Sequence, residues 1–232
     1  RVTLELGGND AGIVMDDVDV EAVAPQIFDG AFGNNGQICI AMKRVYAHES
    51  IYDKLVDQLA ELAEQAAVGN GLEQGTKLGP LQNKMQFEKV KGFIEEGRAD
   101  GTIVAGGDVP DGKGYFIPPT IVKDIDDDSR LVREEQCGPV LPVSKYDDID
   151  DVIEKANDTD YGLGGSVWSS DIDRAYDVAK KVDSGTIWVN KHADIQPHVP
   201  FGGIKTSGIG AELGEEGLAE FTARKIINVA KA

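Results

Sequence analysis

No Cys-x-x-Cys pair and no cysteine–histidine cluster occurs in this chain, whose only two cysteines, Cys39 and Cys137, lie far apart in sequence. That argues against a disulfide framework and a zinc site, and fits a reducing, cytoplasmic setting. Long apolar runs are missing too. None approaches the roughly 18 residues that cross a bilayer, and residues 1–30 do not read as a charged-then-apolar leader. Positive charge is scarce: 23 Lys and Arg against 41 Asp and Glu give a net charge of -18. Nucleic acid and anionic membrane surfaces both call for a basic face, so neither is expected as a partner.

What is present suffices for one large α/β domain, with 232 residues of which 41% are hydrophobic,. The chain opens at Arg1-Val2-Thr3-Leu4-Glu5-Leu6, without Met, like a strand already under way. A piece of a longer chain is expected.

The stretch Gly36-Gln37-Ile38-Cys39 delivers a lone thiol at the end of an apolar, glycine-broken segment. A useful nucleophile needs a lowered pKa or a nearby base, together with backbone donors for the oxyanion it creates. A buried cysteine acting as a small hydrophobe is the competing reading. In Leu4-Glu5-Leu6-Gly7-Gly8 a carboxylate sits inside an apolar strand that ends in two glycines. Either Glu5 pairs with another group, or desolvation raises its pKa toward the range of a general base.

Periodicity predicts alternating strands and helices. Ala11 to Met15 reads as a strand, then Asp19 to Asn35 as a helix capped by Asp16 or Asp17 and aimed at Cys39,. Arg44 to Ala47 is a strand, Ile51 to Ala67 a helix capped by Ser50, and Lys84 to Gly97 a helix capped by Asn83,. Thr102 to Ala105 follows as a strand. Pro118-Pro119 demotes Tyr115 to Val122 to an edge or extended strand,. Strands at Val140 to Val143, Gly162 to Trp168 and Thr186 to Asn190 are separated by helices at Ile149 to Ala156 and Asp171 to Val182. The alternation implies a doubly covered, mostly parallel sheet. Residues 1–217 are read as the α/β domain. Residues 218–232, with Lys225-Ile226-Ile227-Asn228-Val229, are read as an extended arm suited to another sheet edge,.

Four motifs occur together: Leu4-Glu5-Leu6-Gly7-Gly8, Gly36-Gln37-Ile38-Cys39, Glu134-Glu135-Gln136-Cys137-Gly138-Pro139, and Pro200-Phe201-Gly202-Gly203-Ile204-Lys205-Thr206-Ser207-Gly208. Their order and spacing resemble the aldehyde dehydrogenase superfamily, carboxy-terminal half, over all 232 residues. The resemblance implies NAD(P)-dependent oxidation of an aldehyde through a Cys39 thiohemiacetal and thioester, with Glu5 as the base for hydrolysis. Members that pass the acyl group to coenzyme A lack that carboxylate, so a free acid is the implied product.

By the same resemblance the Cys39 backbone N–H and an Asn from the missing half hold the oxyanion. Glu135, Leu6, Gly7, Gln86 and Lys89 match cofactor-contacting positions. Phe201 and Ile195, with Ala193, match the lining of the aldehyde tunnel, whose loop also carries His192 and His198, each read as an exposed loop histidine with a substrate contact as the alternative. NAD or NADP is the implied cofactor, bound mainly by the absent half. A homo-oligomer, dimer or tetramer, is implied through the carboxy-terminal arm.

Two positions depart from the family pattern. Cys137 stands where Phe usually packs near the nicotinamide, and Ala211 replaces a common Arg. Two other functions stay open: a cofactor-free thiol esterase using Cys39 and Glu5, and an inactive half that serves assembly only.

Overall fold

A computed structural model describes residues 1–231 of the chain. Its centre is a seven-stranded sheet built from β2 (Asp10–Val14), β3 (Met42–His48), β4 (Thr102–Ala105), β5 (Thr120–Lys123), β6 (Val140–Tyr146), β8 (Gly164–Trp168) and β9 (Thr186–Val189). Their order is β4-β5-β6-β3-β2-β8-β9, and every pair is parallel except β4 with β5. This is the doubly covered, mostly parallel sheet expected from sequence.

Alternate side chains on each strand point to opposite faces, and both faces find helices. Val14, Val45, Ala47, Ile121 and Leu141 pack beneath α1 (Val20–Phe32) and α2 (Glu49–Gln65). Ile13, Met15, Tyr46 and Val167 face the other way, against α5 (Ile149–Asn157) and α6 (Ile172–Ala179). On that side Val122 and Val140 meet α3 (Lys84–Asp100) and α4 (Arg130–Arg133). Burial on both faces is why β2 and β8 are buried at every position,.

Outside the sheet, β1 (Leu4–Glu5) pairs antiparallel with β11 (Gly208–Ile209), opposing Glu5 to Gly208. Likewise β7 (Tyr161–Gly162) pairs with β10 (Ile204–Lys205). The glycine-rich segment after Pro200 is therefore a hairpin-like clasp that ties the strand of Glu5 to the main body. No helix among the described residues is long and apolar enough to cross a membrane.

Several local expectations need correction. α1 stops at Phe32, and Asn34 and Asn35 adopt left-handed backbone (φ 50° and 57°), breaking the helix expected to run to Asn35. Its cap is Asp19, whose side chain accepts the Glu21 N–H, while Asp17 binds Ser169 and Ser170 instead. α2 begins one residue before Ser50, capped by His48. Pro118 and Pro119 precede β5 rather than interrupt it, so β5 is second in the sheet and β4 forms the edge. Residues 218–220 close α7 (Gly214–Glu220), so extended chain begins only beyond it. There Ile226, Ile227 and Val229 are exposed and pair with no strand.

Candidate active site

The four motifs converge at the amino ends of β2, β3, β6 and β8. Ligands of open parallel sheets usually gather at the carboxyl ends. Here the candidate residues lie in the segments entering the strands: Glu5 to Asn9 before β2, Gly36 to Ala41 before β3, and Glu134 to Pro139 before β6.

Cys39 lies on a tight turn closed by the Ala41 N–H to the Ile38 carbonyl at 3.0 Å. Gly36 makes the approach to this turn possible. Its φ is +72°, and a Cβ there would stand 2.5 Å from the Gly138 carbonyl oxygen,. The thiol is half-buried in an apolar patch with Ile38, Ile40, Ala193, Trp188 and Phe201. Burial pushes its pKa up, and the Glu5 and Asp10 carboxylates add to the rise. The backbone N–H of Ile40 beside the sulfur and the Lys43 ammonium oppose it. At neutral pH the thiol is held protonated, so reaction needs a base.

Glu5 supplies a carboxylate with raised pKa, through burial first and repulsion from Glu212 second. Its Oε1 is shielded from solvent without a hydrogen-bond partner. A carboxyl group in that state holds or releases a proton cheaply, as a general base requires.

Glu135 turns toward the same cluster. Its Oε1 accepts the Gly8 N–H at 3.1 Å and lies 3.6 Å from Lys43 Nζ. Gly7 is pressed against the other oxygen, where a Cβ would stand 2.3 Å from Oε2. Gln86 and Lys89, on α3, reach the backbone of the Glu135 segment. Gln86 Nε2 donates to the Gln136 and Cys137 carbonyls at 2.7 and 2.9 Å, and Lys89 Nζ to the Glu135 carbonyl at 2.9 Å. Gln86 and Cys137 also border an open groove with Asn34 and Gln37.

Of the residues expected to line a tunnel, Phe201 and Ala193 join the patch around Cys39. Ile195 stays 42% exposed and outside that patch, because the loop turns outward after Asp194. Leu6 is also exposed, and its N–H bonds the Ser207 carbonyl at 3.0 Å. His198 is exposed as expected, but His192 is not: its side chain is 1% exposed. Its Nε2 meets the Ile40 carbonyl at 2.7 Å and its Nδ1 the Ser166 hydroxyl at 3.0 Å. Burial lowers its pKa to about 4, so the ring is neutral and the Nε2 proton points at Ile40.

Three groups at the site escaped sequence reading. Lys43 is buried and bonds the carbonyls of the Cys39 turn. Arg44 is buried beside it, donating to the Asn9 and Ala156 carbonyls. Asp10 is wholly buried, takes the Gly164 N–H at 3.1 Å, and burial raises its pKa to about 7. The available signal was a pair of adjacent cations opening an apolar strand, Lys43-Arg44-Val45, where burial on both faces forces each to find partners.

Comparison with known proteins agrees with this arrangement. Residues 1–227 match the model of the aldehyde dehydrogenase family. The mitochondrial aldehyde dehydrogenase of Leishmania tarentolae is 44% identical over 231 residues, covering 99% of this chain and 46% of that protein. Aldehyde dehydrogenase 1A1 of Bos taurus is 43% identical over 230 residues, again covering 99% and 46%. Among solved structures, the NAD+ complex of the Bacillus cereus aldehyde dehydrogenase superposes with a TM-score of 0.92 at 42% identity, covering 96% of this chain and 46% of that one. Betaine aldehyde dehydrogenase from Staphylococcus aureus, in complex with NAD+, gives 0.91 at 37% identity over 95% and 45%. The chain spans about half the length of the relatives it matches, and it belongs to the aldehyde dehydrogenase family.

Proposed function

We propose that the protein carrying this chain oxidises an aldehyde to its carboxylic acid with NAD or NADP, and that this chain supplies the nucleophile, Cys39, and the base, Glu5. The observation that carries the reading is the Cys39 thiol itself. It sits on a turn in an apolar patch with Phe201, close enough to the high-pKa carboxyl of Glu5 to feel its charge.

The Cys39 thiol first loses its proton to water. The sulfur bonds to the carbonyl carbon, and the electron pair of the C=O moves to oxygen. The Cys39 backbone N–H steadies that oxyanion, together with an Asn from outside this chain. When the oxyanion collapses, hydride leaves the carbon and a thioester remains on Cys39. NAD or NADP, when bound, would accept that hydride. Glu5 then removes a proton from water as its oxygen attacks the thioester carbon, and the acid departs as the sulfur regains a proton.

The residues present fit the nicotinamide-ribose end of the cofactor. Glu135 commits Oε1 to Gly8 and Lys43, which leaves Oε2 to accept hydroxyls, and Gly7 adds no side chain beside it. Gln86 and Lys89 brace that segment from α3, and Leu6 completes its rim. Phe201 lines the aldehyde approach with Ala193, and Ile195 lies farther out along the loop. Residues 1–217 are the catalytic unit. The extended chain beyond α7, from residue 221 on, is an arm that joins copies of the protein into a dimer or tetramer.

Because Cys39 and Glu5 both belong to this chain, a second reading is a cofactor-free thiol esterase. The exposed Phe221, Ile226 and Ile227 favour a third, a half that serves assembly alone. Intact mass of the protein from its native host, followed by titration with aldehyde and NAD or NADP while reduced nicotinamide absorbance is read, separates them. A mass near twice this chain with turnover supports the dehydrogenase. Ester hydrolysis without nicotinamide, lost in Cys39→Ala, supports the esterase, and stable oligomers inert to both substrates support assembly.

A further inference from the structure

Lys43 is a buried group that the reaction above leaves unused. Its side chain is 3% exposed, a site where an ammonium is costly to hold without partners,. It has three N–H donors, and they reach three carbonyls of one turn: Cys39 at 2.7 Å, Ile38 at 2.8 Å and Ala41 at 3.3 Å,. A trans peptide is planar, so its N–H points away from its C=O. Drawing the Ile38 carbonyl toward Lys43 turns the Cys39 N–H to the opposite side. Drawing the Cys39 carbonyl the same way turns the Ile40 N–H, whose place beside the Cys39 sulfur opposes the rise in the thiol pKa.

We infer that Lys43 is a positioning residue that fixes the two peptide planes flanking Cys39, so that the Cys39 and Ile40 N–H groups face the reacting sulfur and the oxyanion formed there. Its Nζ, 3.6 Å from Glu135 Oε1, ties that orientation to the carboxylate proposed to take the cofactor ribose. Without Lys43 three carbonyls converge with no cation between them, and the turn relaxes by rotating those peptides. The catalytic part of this inference rests on the dehydrogenase reading; the orientation of the thiol's own donors does not.

The test compares the unchanged protein, as it occurs in its native host, with Lys43→Met and Lys43→Arg. Iodoacetamide modification of Cys39, read from the mass of its peptide, is followed against pH. Other titratable groups, the Glu5 and Asp10 carboxylates and the Cys137 thiol near Cys39 and the Glu135 carboxylate beside Lys43, are common to all three proteins. The expected result is that Lys43→Met moves the profile about one pH unit upward and slows modification about tenfold at neutral pH, while Lys43→Arg restores most of the rate. An unchanged profile in a Lys43→Met protein that unfolds cooperatively overturns the inference. So does faster modification of both cysteines, which marks general loosening.

If the variants do not fold, the unchanged protein with nitrogen-labelled lysine decides. One ammonium whose protons exchange slowly is expected, and exchange at surface rates for all lysines contradicts it. With an aldehyde substrate, Lys43→Met lowers kcat by at least tenfold, and an unaltered kcat refutes the positioning role. Absence of any aldehyde oxidation by the unchanged protein removes the dehydrogenase reading, and the modification profile still judges Lys43.

Discussion

Glu135 accepts the backbone N–H of Gly8 at 3.1 Å, joining segments 127 residues apart in sequence. The contact fastens the glycine pair after Glu5 to the segment before β6. Through Lys43, 3.6 Å from the same oxygen, it also reaches the turn of Cys39. The proposed nucleophile, base and ribose acceptor are thus held in one hydrogen-bonded frame.

Gly7→Ala tests that frame. Its new Cβ would stand 2.3 Å from Glu135 Oε2 and 3.2 Å from the Tyr161 ring, so the flexible carboxylate swings away. Stability changes by only about 1 kcal/mol. The KM for NAD or NADP rises about tenfold or more, with a smaller effect on the aldehyde KM. Steady-state kinetics check this, and an unaltered cofactor KM contradicts the ribose role of Glu135.

Glu5→Gln keeps the shape of the side chain and removes the base. Hydrolysis of the thioester slows by about 10²- to 10⁴-fold. The first turnover is less affected, so rapid mixing shows a burst of reduced nicotinamide followed by a slow steady state. Equal slowing of burst and steady state would move the role of Glu5 to the first proton transfer alone.

Asp10 and His192 set opposite pH slopes on stability. Asp10 shifts from 3.8 to about 7 in the fold, so the folded state binds the extra proton between those values and loses stability as pH rises through them,. His192 drops from 6.5 to about 4, so the unfolded state binds the extra proton and stability grows with pH across that range,. Asp10→Asn removes the first slope. The unfolding midpoint of the variant, measured against the unchanged protein, climbs between pH 4 and 7 and levels above 7. A constant difference across the range contradicts the buried state of Asp10.

Deletion of residues 222–232 removes Ile226, Ile227 and Val229, at 80%, 75% and 82% exposure, without touching the core. The protein's mass in solution falls from an oligomer to a single copy, read by light scattering. An unchanged oligomer places the contact elsewhere.

Much of this architecture was legible because it is local. The strand–helix alternation follows from periodicities that span one element each, and Asn83 caps α3 as its sequence announces. Cys39 and Glu5 stood out because a thiol and a carboxylate interrupt apolar segments beside glycines. What stayed hidden depends on distant partners. The burial of His192 is decided by Ile40 and Ser166, and the role of Lys43 by carbonyls whose direction only the folded turn fixes. Pro118-Pro119 misled because proline forbids a central strand only where its missing N–H is needed, and β5 begins one residue later,.

The most direct test is a single turnover of the Glu5→Gln protein with aldehyde and oxidised nicotinamide, quenched in acid and read by peptide mass. The account predicts one acyl group on the Cys39 peptide, none on the Cys137 peptide, and no reduced nicotinamide from Cys39→Ala. Reduced nicotinamide formed by Cys39→Ala at the rate of the unchanged protein would contradict it.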